Sequence, residues 1–279
     1  MRSLKSGFLL AVFLSALVGF SPEKAQGESI APIGKLVEKF EQTVFSVNLW
    51  GPIGLDWPAE PLDRVVKWQS RPIFSIHDDG NRLQKEFPEK WKFFDSLMIE
   101  LTRLTDIWIR LANWETRNST NFHLYYYRQQ KIFNNFKDTR RWISSEWDIN
   151  IPPISIDVMA SFRCTSYAGW GKKFRINKGH AFVLQGLEKG LLRHCLLKSI
   201  IRAFGLFADS DVAQPSIFSK SAPPLDHLTL NDKIILRTLY DKRIKPGMAK
   251  DEAMKIAAEI IPELVAAVKA QGVEALYQQ

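Results

Sequence analysis

The sequence predicts a single α+β domain with a helical C-terminal part, preceded by a signal peptide. Segments with helical spacing and segments with strand-like alternation follow one another in the order helix, strand, helix, strands, helix, helices, which is typical of an α+β fold. The 279 residues are 46% hydrophobic and 24% charged, as in an ordinary globular protein. The chain has no internal repeat and no low-complexity tract.

The N-terminus has the three parts of a secretory signal peptide. A basic start is followed by an apolar run of 14 residues from Gly7 to Phe20 and by the small-x-small sequence Ala25-Gln26-Gly27. A membrane-spanning helix needs about 20 apolar residues, so we expect cleavage before Glu28 rather than an uncleaved anchor. This interpretation predicts an exported protein, in the periplasm or outside the cell.

We divide the chain into the signal peptide (1–27), an N-terminal helix and linker (28–60), and an α+β domain with its C-terminal helices (61–279). No transmembrane segment is expected after cleavage. Cleavage removes three basic residues and one acidic residue, which lowers the formal charge from +8 to +6. This mild positive charge favours an anionic surface or partner. Nucleic acid is not expected as a partner, because no basic run has interleaved glycines or aromatic residues.

The N-terminal half alternates helices with strands. Residues 31–46 have apolar positions at helical spacing and predict a helix packed on the main body. Residues 65–80 alternate and then turn at Asp79-Gly80, which indicates a strand. The other elements expected in this half are a helix at 88–107, strands at 107–112 and 120–127, and a helix at 129–146.

The C-terminal half begins with strands and ends with helices. The expected elements are strands at 154–164 and 172–185, a helix at 187–206, a helix at 229–240 and a last helical stretch from Ala249. Proline lacks the N–H that a helix interior uses, so Pro262 is expected to break or kink that last stretch.

The two cysteines, Cys164 and Cys195, form a candidate disulfide. An even pair in an exported protein is consistent with one, and closing a loop of about 30 residues would add a few kcal/mol by constraining the unfolded chain. Two buried free thiols remain the alternative, because the sequence does not show whether the two Cα atoms are close enough.

Residues 191–211, LLRHCLLKSIIRAFGLFADSD, resemble the active-site helix of zinc peptidases without its ligands. In that helix His-Glu-x-x-His places two imidazoles on one face, with a carboxylate base beside the first. A Gly three residues after the second His permits a sharp turn, and a third ligand follows three residues later. If Gly205 is that glycine, the ligand positions hold Lys198, Arg202 and Ala208, and the base position holds Ser199.

These four residues do not suit zinc chemistry. Lys and Arg offer only donors at neutral pH, Ala208 has no ligand atom, and Ser199 is not a carboxylate base. We therefore expect no metal ion, no cofactor and no catalysis at this helix. Lys198 and Arg202 either pair with internal carboxylates, which we favour, or hold an anionic group of a partner in the former cleft.

Residues 194–253 are similar to the C-terminal signature of an exported bacterial family, domain of unknown function 2927. The matching segments are Cys195, Gly205-Leu206, Asp209-Ser210-Asp211, Ser216-Ile217-Phe218, Leu228-Thr229, Asp232, Leu239-Tyr240-Asp241 and Lys245-Pro246-Gly247-Met248. The resemblance implies a zincin-like α+β fold without an established activity. The chain departs from the family pattern at three places. The family typically has an acidic pair where this chain has Lys198-Ser199, a Gln where it has Arg202, and an Asn where it has Ala208.

Other polar groups have simpler interpretations. The sequence His77-Asp78-Asp79 is expected to end a strand in a turn, and His123, His180 and His227 are expected to be isolated polar or surface groups. The Asp209-Ser210-Asp211 turn is expected to bind backbone amides of its own loop. An alternative metal site would combine His194 with Asp209 and Asp211.

The sequence leads to the hypothesis of an exported, non-catalytic protein that binds a protein or cell-wall partner in the cell envelope. One alternative is a divergent metallo-hydrolase that uses His194, Asp209 or Asp211. Another is a structural envelope protein that binds peptidoglycan or a membrane complex through a basic, aromatic surface.

Overall fold

The computed structural model describes residues 28–47, 60–128 and 163–278. The signal peptide, the helix expected at 129–146 and nearly all of the strand expected at 154–164 lie outside the described residues.

Within these ranges the chain combines helices with a largely parallel sheet and ends in helices, which confirms the α+β class. The helices are α1 (Ile33–Val44), α2 (Arg82–Glu86), α3 (Lys90–Thr105), α4 (Lys189–Arg202), α5 (Leu230–Leu239) and α6 (Lys250–Gln271). The strands are β1 (Ser46–Val47), β2 (Glu60–Pro61), β3 (Lys67–Trp68), β4 (Ile73–Asp78), β5 (Arg110–Leu111), β6 (Phe122–Tyr127), β7 (Cys164–Trp170) and β8 (Arg175–Leu184).

Strands β3 to β8 form one sheet, and β1 pairs separately with β2. Strand β4 is parallel to β5 and β6, and β6 is parallel to β8. The beginning of β8 also pairs in parallel with β3, and β7 runs antiparallel to β8. Strands β4, β6 and β8 are thus neighbours in space although long segments separate them in the sequence.

The core lies between one face of this sheet and the helices. Phe122, Leu124 and Tyr126 of β6 point into it and are fully buried. Phe74 of β4 stacks on Phe122 with ring centroids 3.9 Å apart, and Phe204, just after α4, contacts both rings. The apolar side of α1 belongs to the same core, so the predicted packing of this helix on the main body is confirmed.

Helix α4 is buried along its whole second half. Every residue from His194 to Arg202 is buried, because β7 and β8 pack against one side and the chain after the helix folds back over another. That returning chain is fixed to α1, where the carbonyl of Thr43 accepts the N–H groups of Phe207 and Ala208. Charged groups on such a helix need partners, since an unpaired buried charge is very unfavourable.

The sequence predicts a break or a kink at Pro262, and of these two the break does not occur, because helix α6 continues through the proline. The proline removes one helical hydrogen bond, but buried residues on both sides of it, including Ile260, Ile261 and Val265, fix the two halves to the core. None of the described helices has the length and apolarity that a membrane crossing requires.

The candidate disulfide is confirmed. Cys164 of β7 and Cys195 of α4 are bonded, with Cα atoms 5.5 Å apart. The bond joins the antiparallel strand of the sheet to the buried helix.

Removing this disulfide should lower the free energy of unfolding by about 3.7 kcal/mol, because the unfolded chain is released from a loop between cysteines 31 positions apart. We expect a lower urea midpoint for Cys164→Ala/Cys195→Ala than for the oxidised wild type. Reductant should lower the wild-type midpoint to a similar value and leave the variant unchanged. Equal midpoints for the oxidised wild type and the variant would contradict a stabilising role.

Candidate functional site

Helix α4 has a well-defined beginning. The carboxylate of Glu188 accepts the backbone N–H groups of Gly190 and Leu191 at 3.1 and 3.4 Å, and its charge is favourable at a helix N-terminus. The next residue, Lys189, pairs with Glu89 at the start of α3. These contacts fix the helix whose sequence resembles that of a zinc-peptidase helix.

The helix ends in a turn that requires Gly205, as the sequence predicts. The φ angle of Gly205 is +102°, a conformation that side chains with a Cβ rarely adopt. A Cβ there would lie 2.7 Å from the carbonyl oxygen of Val66 and 3.0 Å from Leu239 Cδ2. The turn brings the following loop back along α4.

The substitution Gly205→Ala should lower the free energy of unfolding by about 3 kcal/mol, because backbone strain adds to an overlap with a backbone oxygen. Gly186→Ala is the matched control, since Gly186 also has a positive φ of +78° but no neighbour that a Cβ would meet. Denaturant titration should show a loss of about 1 kcal/mol for the control. Equal losses in the two variants would contradict the close approach to Val66.

Lys198 and Arg202 both point at Asp209. Lys198 Nζ lies 3.0 Å and Arg202 Nη2 lies 2.8 Å from the same oxygen, Asp209 Oδ1. All three side chains are at most 4% exposed. This Lys198–Asp209–Arg202 cluster is the internal pairing that we favour from the sequence.

The cluster is charged at neutral pH. Burial raises the pKa of the Asp209 carboxyl, but Arg202 and Lys198 outweigh burial and hold that pKa below its usual range. Burial lowers the pKa of Lys198 to about 8, against the opposing pull of Asp209. Two cations therefore surround one carboxylate, and a divalent cation would meet repulsion rather than free lone pairs.

Ser199 and Ala208, the other two residues of the sequence comparison with zinc peptidases, are also buried. Ser199 is fully buried, and its hydroxyl has no hydrogen-bond partner among the described residues. Ala208 is 4% exposed, and its backbone N–H donates a hydrogen bond to the carbonyl oxygen of Thr43.

The structure does not gather His194, Asp209 and Asp211 around one point. His194 Nδ1 lies 2.9 Å from the carbonyl oxygen of Leu225, to which it donates. Asp211 accepts from its own loop, as predicted for this turn, through the hydroxyls of Ser219 and Ser221 and the N–H groups of Lys220 and Ser221. In the described part of the chain, no three His, Cys, Asp or Glu side chains are arranged to hold a metal ion.

A second buried carboxylate, Asp232, joins three parts of the chain. Its Oδ1 pairs with Lys39 of α1 at 2.7 Å, and both side chains are fully buried. The same carboxylate accepts from Ser216 Oγ, Ile217 N and Thr229 Oγ1. The spacing Thr229-x-x-Asp232 could have predicted a capping box at the start of α5, which the structure shows. The partner Lys39, 193 residues away, has no sequence signal.

The two buried carboxylates predict how the stability of the fold changes with pH. Burial raises the pKa of Asp232, but Lys39 and the hydrogen bonds lower it below the usual value of 3.8, as the two cations do for Asp209. A carboxyl group whose pKa is lower in the folded than in the unfolded state stabilises the fold at pH values above its unfolded-state pKa. This stabilisation is lost as the pH falls through the folded-state pKa. Urea midpoints should therefore decrease between pH 5 and 3. A constant midpoint over this interval would contradict the two ion pairs.

An open cleft of about 830 Å³ lies beside α4. Its apolar floor comes from Phe93 and Leu97 of α3, Leu197 of α4, Leu228 before α5, and Val273 near the C-terminus. Ion pairs line its rim, namely Arg193–Asp226, Lys233–Glu100 and Arg103–Glu274. Because these residues come from distant segments, sequence patterns do not predict the cleft.

The structure also brings together histidines that the sequence analysis treats separately. His77 on β4, His123 on β6 and His180 on β8 lie on neighbouring strands. The ring centroids of His77 and His123 are 5.4 Å apart, and those of His123 and His180 are 5.2 Å apart. The expectation that His123 and His180 are isolated is therefore wrong, because strand order determines their proximity. His227 lies elsewhere, between Glu28 and Asp226.

One comparison with known proteins gives a match. The model of a family described as a protein of unknown function, DUF2927, matches residues 35–259, which is most of the chain. No curated protein and no solved structure matches the chain.

Proposed function

The chain belongs to the DUF2927 family, and we propose that it is an exported, non-catalytic, zincin-like protein that acts by binding in the bacterial envelope. The central observation is the Lys198–Asp209–Arg202 cluster. A catalytic zinc site needs three protein ligands with free lone pairs and one open position for water. Two of the corresponding places here hold cations, and both are already paired.

The cluster explains how such a helix persists without zinc. In a zinc site the ion joins the helix to the chain that follows it. Here Asp209, one residue beyond the third ligand position, makes that connection through ion pairs with Lys198 and Arg202. The helix then serves as a scaffold for surfaces around it, among them the cleft beside α4.

The cleft has the properties of a peptide-binding site. Its volume of about 830 Å³ lies within the range of roughly 300–1,000 Å³ that is usual for ligand sites. An apolar floor can take side chains of a bound segment, and the paired charges of the rim can exchange partners with its backbone and polar groups. We therefore assign the binding role to this cleft, with a segment of an envelope protein as its partner.

Two observations support export, and a third supports cleavage before Glu28. The first is the signal-peptide pattern of residues 1–27, and the second is the Cys164–Cys195 disulfide, which is typical of proteins in oxidising compartments. The third is that Glu28 contributes to the fold, because its carboxylate accepts the N–H of Leu230 at 2.7 Å. Mass spectrometry of protein from a periplasmic fraction should find a mature chain that starts at Glu28. A full-length chain in the membrane fraction would contradict cleavage.

Site-specific photocrosslinking tests the binding role. A photoreactive phenylalanine in place of Ile99, which lines the cleft and is 51% exposed, should crosslink to one envelope protein in intact cells. The same residue in place of Trp114, which is 76% exposed and outside the cleft lining, is the control. A synthetic peptide of the crosslinked segment should then bind at least 10-fold more weakly to Val273→Glu than to the wild type. Equal crosslinking at both positions, or equal peptide affinity, would rule out the cleft.

A further inference from the structure

We propose that Ser75, His77 and His123 form a binding site for a late first-row divalent cation, with Zn²⁺ as the representative ion. The site lies on the sheet face opposite the core. Because side chains alternate along a strand, His123 points away from the face that Phe122 and Leu124 bury, and Ser75 and His77 point away from the face that Phe74 buries. The site is therefore separate from α4.

The strand register places the three side chains together. Ser75 of β4 is the direct neighbour of His123 of β6, and His77 is two residues further along β4 on the same face. The three residues are partly exposed, so an ion can reach them from solvent. Rings of neighbouring residues fix the imidazoles, since His77 stacks on Tyr125 at 4.7 Å and His123 stacks on His180 at 5.2 Å between centroids.

Three polar atoms of these residues form a small triangle. Ser75 Oγ lies 3.0 Å from His77 Nε2 and 2.8 Å from His123 Nδ1. The two ring nitrogens lie 3.1 Å from each other. Each ring nitrogen thus takes part in two short contacts, but it has only one proton or one lone pair to offer. Hydrogen bonds alone cannot satisfy all three contacts at once.

A metal ion can satisfy the same three atoms at once. Zinc binds imidazole nitrogen at about 2.0–2.1 Å in a tetrahedral arrangement, in which ligand atoms lie roughly 3.3 Å apart. The observed separations need to widen by only a few tenths of an ångström. Water would complete the coordination from the solvent side.

The chemistry of the ligands indicates the class of ion. Burial lowers the pKa of His77 and lowers that of His123 to about 4, with His77 and Lys178 adding to the second shift. Imidazole binds metal ions through a neutral ring nitrogen. Since neutral imidazoles and a hydroxyl carry no negative charge, the site suits Zn²⁺ or Cu²⁺ rather than Mg²⁺ or Ca²⁺, which prefer carboxylates and carbonyls.

Calorimetric titration of the chelator-treated, untagged mature protein with ZnCl₂ tests the site. We expect one Zn²⁺ per chain and no binding of Mg²⁺ at the same concentrations. His77→Ala and His123→Ala should each weaken Zn²⁺ binding at least 10-fold. The matched control is His227→Gln, which removes a partly buried histidine elsewhere and should leave the affinity unchanged.

X-ray absorption spectroscopy of the zinc-loaded wild type keeps the proposal testable if a histidine variant does not fold. The spectrum should fit two imidazole ligands. The zinc–nitrogen and zinc–oxygen distances should lie within the usual range for zinc. Failure to bind Zn²⁺ at millimolar concentration, a fit with no imidazole, or an unchanged affinity in both folded histidine variants would overturn the proposal.

Discussion

Asp209→Ala is expected to lower the free energy of unfolding by about 4 kcal/mol, because it leaves two buried cations without a counter-charge. Lys198 and Arg202 both contact the carboxylate that is removed, and both side chains are at most 4% exposed. The midpoint of urea unfolding, followed by circular dichroism, measures the loss. A loss below about 1 kcal/mol would show that the ion pairs do not stabilise the fold.

A double-mutant cycle separates the cluster from a general effect of mutation. Lys198→Met leaves the Arg202–Asp209 pair intact and should be much less destabilising than Asp209→Ala. In the Lys198→Met background, Asp209→Ala should lose less stability than in the wild type, since only one cation is then left unpaired. Ser199→Ala on the same helix is the control, and it should be neutral or slightly stabilising because the hydroxyl that it removes has no described partner. Additive effects of the two cluster mutations would contradict the coupling.

Asp232→Ala is expected to be at least as destabilising, with a loss of about 5 kcal/mol. The substitution leaves Lys39 buried and unpaired and removes the acceptor of the Ser216, Ile217 and Thr229 hydrogen bonds. Because these contacts join α1, the loop after α4 and α5, hydrogen exchange should show loss of protection in all three segments. Denaturant titration gives the magnitude if the variant remains folded.

The control for this prediction is Lys39→Met. It removes the buried cation but leaves a carboxylate that accepts hydrogen bonds from Ser216, Ile217 and Thr229, so the expected loss is smaller than for Asp232→Ala. If Lys39→Met is the more destabilising of the two, the ion pair rather than the hydrogen bonds holds these segments together. That result would contradict the role that we assign to Asp232 as the common acceptor.

Local sequence signals predicted the parts of the site that depend on neighbouring residues. The spacing around Gly205 identified the turn after α4 and placed Lys198 and Arg202 on one face, and their charge indicated internal carboxylate partners. The Asp209-Ser210-Asp211 segment predicted a loop whose acidic side chains bind backbone amides, which holds for Asp211. The even number of cysteines suggested the disulfide, although the sequence could not decide between a bond and two thiols.

The remaining features depend on tertiary arrangement, which no local pattern encodes. The sequence did not select Asp209 as the partner of both cations, because this depends on the path of the loop after Gly205. The burial of α4 on several sides depends on the elements that pack over it, and these come from other parts of the chain. Likewise, His77 and His123 meet only because β4 pairs with β6, and the cleft exists only because α3, α4 and the C-terminal residues converge.

Zinc content tests most directly whether the Lys198–Asp209–Arg202 cluster replaces a metal site. We would purify the untagged His77→Ala/His123→Ala protein from the periplasm without chelator and measure zinc per chain by mass spectrometry. We expect far less than one zinc per chain, and the same value after the additional substitution His194→Ala. One zinc per chain that is lost with His194→Ala or Asp209→Asn would contradict the non-catalytic scaffold and favour a metallo-hydrolase.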